Sequence, residues 1–108
     1  MKYAWVEIEN SKFTRIFKSR AKAVESGREI IEVYYTQAVS RIRHHLWVRC
    51  EGFCELCGSI VNEKFGHMHE QKHRGKGGEI SLANSVFICP KCHQRAHADR
   101  NPHFTKKT

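Results

Sequence analysis

Alternating apolar positions open the chain. In YAWVEIE (3–9), Ala4, Val6 and Ile8 fall on one side and Glu7 and Glu9 on the other, which is the period of a strand. ENSK (9–12) reads as a turn and KFTRIFK (12–18) as a second strand. In SRAKAVESG (19–27), Ser19 suits the cap of a short helix and Gly27 its end. EIIEVYYT (29–36) is dense in β-branched and aromatic residues and predicts a third strand; the start of a longer helix is the competing reading. From Gln37 the period changes. Ala38, Ile42, His45, Leu46 and Arg49 recur at helical spacing, predicting an amphipathic helix over 37–50 with Arg41 and Arg43 on its wet side. The helical pattern stops at CEGFCELCG (50–58).

That stretch begins the cysteines. There are five, at 50, 54, 57, 89 and 92. The N-terminus, MKYAWVEIEN, has acids interrupting its apolar stretch and does not resemble an export signal. An odd count without such a signal argues against a disulfide framework. CELCG and CPKCH are two C-x-x-C turns, and two such turns complete a tetrahedron of thiolates around one ion. Structural zinc on Cys54, Cys57, Cys89 and Cys92 is the reading this favours over four buried or redox-active thiols. Gly58 suits a turn that aims backbone amides at sulfur, and Cys50 is left as a small, apolar residue.

Composition narrows the partner. A chain of 108 residues with 40% hydrophobic positions makes one domain with a thin core, so a metal staple is expected. The formal charge is +8, which attracts polyanions, nucleic acid first. No apolar run approaches the roughly 18 residues of a membrane span, so a soluble, cytoplasmic protein without membrane contact is expected.

The histidines carry the chemistry. HEQKH (69–73) matches the H-E-x-x-H metalloprotease pattern, which works only on a helix. RGKGG follows at once and Gly66 lies just before, so no helix of useful length fits and that reading is rejected. His93 and His97 in CHQRAHADR are i and i+4 on one helix face, where neutral imidazoles hold a divalent ion. Lys72, Arg74 and Lys76, among Gly75, Gly77 and Gly78, are candidate phosphate contacts, affording affinity without sequence choice. Lys12, Arg15, Lys18, Arg20 and Lys22 are a second basic stretch, equally readable as a solvated face. His44, His45 and His103 read as surface or partly buried residues, and His73 as facing phosphate or solvent.

The order of parts over residues 41–98 resembles the HNH endonuclease family: RHHLWVRCEGFCELCG, then FGHMHEQKHRGKGG, then ISLANSVFICPKCHQRAH. The resemblance implies an α+β fold, a zinc-stabilised ββα-metal core carrying a β-rich and helical N-terminal extension. It divides the chain into an extension at 1–40, a nuclease domain at 41–100 and a basic tail at 101–108. It implies His69 as general base, Asn84 as the residue that steadies loop and base, and His93 and His97 as holders of one catalytic ion (Mg²⁺, Mn²⁺, Ni²⁺ or Zn²⁺). The expected activity is hydrolysis of DNA phosphodiester bonds, leaving a 5′-phosphate and a 3′-hydroxyl. Double-stranded DNA is the expected partner, with the protein a monomer or homodimer in a bacterial or phage-infected cell. One position departs from the family. Met68 stands where a third ligand to the ion is usual, and a thioether suits Mg²⁺ or Mn²⁺ poorly. His67 shares a strand face with His69 and is the substitute candidate. The alternative is a zinc-stabilised DNA-binding module without catalysis.

Overall fold

The computed structural model describes residues 2–72 and 78–98, the last two as backbone only. Three strands come first: β1 (Tyr3–Glu9), β2 (Lys12–Phe17) and β3 (Ile30–Tyr34), with helix α1 (Arg20–Glu25) between β2 and β3. Asn10 and Ser11 join β1 to β2 with φ of 54° and 64°, the doubly left-handed turn whose twist matches that of the strands it joins. Ser19 caps α1, its side chain accepting from the Lys22 amide at 3.2 Å. β3 pairs antiparallel with β1, from Tyr3 opposite Tyr34 to Glu7 opposite Ile30. The strand reading of this segment therefore holds, and the chain turns helical only at Tyr35.

Helix α2 (Tyr35–Arg49) is the spine of the molecule. Ala38, Ile42 and Leu46, four residues apart, are wholly buried. They join Ala4, Val6 and Ile16 of the first strands to Phe87 and Ile88 in one apolar cluster. The helix begins two residues before the expected start. Its wet side also differs from expectation. Arg41 is exposed, but Arg43 donates to the carbonyls of Lys64 (3.3 Å) and Gly66 (2.5 Å), and its guanidinium lies 5.2 Å from the centre of the Phe87 ring. A guanidinium carries enough donors to satisfy loop carbonyls while its planar face covers an aromatic ring. Periodicity alone does not register either partner.

Beyond α2 come β4 (His67–Glu70), β5 (Ile80–Ser81), β6 (Ser85–Ile88) and α3 (Pro90–Ala98). β4 and β6 pair antiparallel, and α3 lies against β4. β5 leaves this unit and pairs with β2, giving a sheet in the order β3-β1-β2-β5. The expected boundary between residues 40 and 41 falls inside α2, and the first sheet takes its last strand from the far part of the chain. Among the described residues no helix is long and apolar enough to cross a membrane.

Gly66 sits where β4 approaches the core. A Cβ there would lie 2.3 Å from the Phe87 ring and 2.9 Å from Val61 Cγ2. Phe87 is fully buried and has nowhere to retreat. Gly66→Ala is expected to cost about 1–3 kcal/mol of stability, read as a lowered Tm in thermal denaturation.

Candidate functional site

The two C-x-x-C turns meet. Cys54 and Cys57 lie in the knuckle after α2, and Cys89 and Cys92 at the junction of β6 and α3. Their four sulfurs lie within 4.8 Å of one another. The Cys54–Cys92 and Cys57–Cys89 separations are both 3.7 Å. A tetrahedral ion with sulfur bonds of about 2.3 Å needs sulfurs about 3.8 Å apart, so the donor set fits zinc in number, chemistry and spacing. Backbone amides of Leu56, Cys57 and Cys89 point at Cys54 Sγ at 3.4, 3.5 and 3.3 Å. Gly58, at φ 81°, gives the turn its left-handed step. The Ser59 hydroxyl pulls the Cys57 thiol down to about 6, while burial and the neighbouring sulfurs push Cys92 well up. Packed this tightly, four thiolates coexist only around a cation. Cys50 stands apart, its thiol donating to the Trp47 carbonyl at 3.2 Å.

The knuckle is fastened to β6. The Glu55 amide donates to the Phe87 carbonyl (3.0 Å), and the Glu55 carboxylate accepts from the Phe87 amide (2.8 Å). Arg49 grips both oxygens of that carboxylate, at 2.6 and 3.1 Å, and donates to the carbonyls of Leu82 and Ser85. Sequence reasoning missed this Arg49–Glu55 clamp. The only signal was an acid inside a C-x-x-C turn six residues after a helix-ending arginine.

On β4, side chains alternate. His67 and His69 turn toward α3, where the His67 ring stacks on His93 with centroids 4.0 Å apart and planes 3° apart. His69, buried at 8% exposure, meets the His93 ring edge-on at 6.4 Å. Three imidazoles thus share one patch beside the sulfur cluster. Met68 points the other way and, with Glu70, lines a groove against Tyr35, Ser40 and Arg43 of α2. Alternation thus puts Met68 on the side away from the imidazoles and His67 on their side. His67 and His93 present flat faces to each other. Among the described residues, the four cysteines are the sole group of three or more metal-ligating side chains within 4.8 Å. The backbone of His97 lies one turn after His93 in α3, and its side chain is outside the described residues.

Asn84 closes the loop between β4 and β5. Its side-chain oxygen accepts from the Lys72 amide (2.9 Å), and its side-chain nitrogen donates to the carbonyls of Lys72 (3.0 Å) and Glu79 (2.7 Å). Its own carbonyl accepts from the Gln71 amide at 2.7 Å, the residue directly after β4. Both ends of the loop are thus tied to Asn84, the near end at Lys72, two positions past His69's strand. Asn84→Ala is expected to lose roughly 1–3 kcal/mol in urea denaturation. Asn84→Asp should not restore it, because a carboxylate has no proton for the two carbonyls.

Residues 54–99 match the family model described as HNH endonuclease. Over these residues the chain is similar to HNH endonucleases. The chain is also similar to the type IV methyl-directed restriction enzyme EcoKMcrA of Escherichia coli (strain K12), at 24% identity over 102 residues. That match takes in 85% of this chain and 37% of the enzyme, so the chain spans well under half of its relative's length. No solved structure matches. The matched segment contains the four clustered cysteines, β4, β5, Asn84, β6 and α3; β1, β2, β3 and α2 lie before it.

Around the matched segment the expected phosphate contacts divide. Lys72 is exposed at the mouth of the loop, while Arg74 and Lys76, like His73, fall outside the described residues. In the earlier basic stretch, Lys12, Lys18, Arg20 and Lys22 are exposed. Arg15 is occupied: it pairs with the buried Glu7 at 3.1 Å and with Glu79 at 3.6 Å, joining the first sheet to the far end of the loop. Glu7 also meets Arg28 at 3.3 Å. A buried carboxylate needs such partners to remain charged.

Proposed function

We propose that this chain is a metal-dependent endonuclease that hydrolyses DNA phosphodiester bonds, with zinc in the four-sulfur site holding α3 against the hairpin of β4 and β6. The observation carrying this reading is the meeting of His69 and His93 on one face of the unit, next to a loop that Asn84 closes. Neutral His69 takes a proton from water as its oxygen attacks phosphorus. The P–O3′ bond breaks, leaving a 5′-phosphate and a 3′-hydroxyl. His93 and His97 would hold one divalent ion, which supplies stabilisation of charge on the non-bridging and leaving oxygens. Asn84 keeps the loop and β4 in register so that His69 stays aimed. Lys72, Arg74 and Lys76 meet phosphates, and residues 1–40 form an extension that grips the substrate outside the catalytic unit.

Supercoiled plasmid incubated with the protein and Mg²⁺, Mn²⁺, Ni²⁺ or Zn²⁺ should yield relaxed circles that disappear without the added ion. A second reading, a zinc-stabilised DNA-binding module without catalysis, is favoured by the face-to-face packing of His67 on His93. In the same assay it gives retarded plasmid and no relaxed circles with any ion.

A further inference from the structure

The outer face of the first sheet is aromatic. Tyr3 and Trp5 of β1, Phe17 of β2 and Tyr34 of β3 are cross-strand neighbours: Tyr3 lies opposite Tyr34 and Trp5 opposite Phe17. They point away from the face that buries Ala4 and Val6. The Tyr3 and Tyr34 rings are 5.0 Å apart, and these residues are 48% and 41% exposed. Neighbouring exposed rings on one sheet face form a contiguous aromatic patch. Beside them opens a cleft of about 310 Å³, lined by Tyr3, Trp5 and Phe17 together with Lys2, Lys18 and Tyr35. The Lys2 ammonium lies 4.7 Å from the centre of the Tyr35 ring, and the Arg15 guanidinium 4.4 Å from that of Phe17. Glu79 also lines the cleft, but its carboxylate is paired with Arg15. Glu7 shares this face but is paired with Arg15 and Arg28, while Glu32, opposite Trp5, is exposed.

We propose that this cleft and the aromatic row are a second nucleic-acid site, which takes unpaired DNA bases by stacking. The inference rests on the reading of the chain as a DNA-acting protein and adds which form of DNA this surface holds. Flat rings next to cations are the combination that binds single strands without sequence choice, because every base has a π-face and every nucleotide a phosphate. In an intact duplex those faces are already stacked on one another, so this surface selects bases that are frayed, extruded or single-stranded. Glu79 lies in both the cleft wall and the Asn84 clamp. A strand held in the cleft therefore passes Glu79, whose carbonyl Asn84 holds.

The test uses the metal-loaded chain carrying Trp47→Phe, so that Trp5 is the fluorophore. It is titrated with a ten-nucleotide oligothymidylate and with an abasic strand of the same length, which keeps the phosphates and lacks the bases. The site predicts quenching of Trp5 and binding of the oligothymidylate about 10-fold tighter than of the abasic strand. Tyr3→Ala, at an exposed position, should remove most of that difference and leave abasic binding unchanged; Trp5→Leu, followed by gel retardation, should do the same. Equal affinity for the two strands, or no effect of either variant, overturns the inference. Plasmid nicking combined with equal affinity would sink this site and leave the nuclease standing. A base-dependent response without nicking would keep the site and sink the nuclease.

Discussion

Stripping the ion from the four-sulfur site unfolds the part of the molecule that carries the imidazoles. A structural zinc supplies about 10–16 kcal/mol of binding free energy, as much as the whole stability of a typical domain. Among the described residues no other metal cluster replaces it. β4 and β6 have four residues each, β5 has two and α3 nine, too little for an independent core. The loss spreads, because Glu55 of the knuckle bonds both the amide and the carbonyl of Phe87, and Phe87 sits at the centre of the shared cluster. A strong chelator should therefore lower both the far-UV ellipticity and the Tm, and Cys92→Ser should act in the same direction without chelator. Acid should do likewise, since protons compete with the ion for thiolates. An unchanged melt in excess chelator would refute the four-sulfur site.

Replacing His69 by Ala removes the proposed base and is expected to slow plasmid nicking by about 10²–10⁴-fold. Affinity for DNA should stay within a few-fold, because His69 is buried and the proposed phosphate contacts are exposed cations such as Lys72. His93→Ala should abolish the ion dependence along with the rate. The comparison with His67→Ala is informative: its ring stacks face to face on His93, whereas His69 meets His93 edge-on. If it is a support, its removal lowers the rate less than removal of His69. Full nicking by His69→Ala, in protein whose Tm shows it folded, would remove His69 from the mechanism.

Much of this arrangement was legible in the chain. Alternation located β1 and β2, the 38, 42, 46 spacing located α2, and paired C-x-x-C turns located the metal cluster. These signals are local, each written within one element or one turn. What was not legible depends on partners far along the chain. β5 joins the first sheet through two residues, too short to carry a period. Arg43 looked solvated because its carbonyl partners lie more than twenty residues away, and the Arg49 grip on Leu82 and Ser85 is similarly remote. Alternation made His67 legible as the neighbour of His69 on one strand face, but its stacking on His93 came only with the fold. Asn84 was recognisable from its resemblance, but its reach to both ends of the loop came only with the fold.

Crystals of the protein grown with its own metal and soaked with Ni²⁺ or Mn²⁺ give the most direct test, through anomalous difference maps at each absorption edge. The account predicts one peak about 2.3 Å from the sulfurs of Cys54, Cys57, Cys89 and Cys92, and a second on His93, on the side facing His69. Sulfurs without an ion among them, or His69 and His93 turned apart with no peak near either ring, would contradict it.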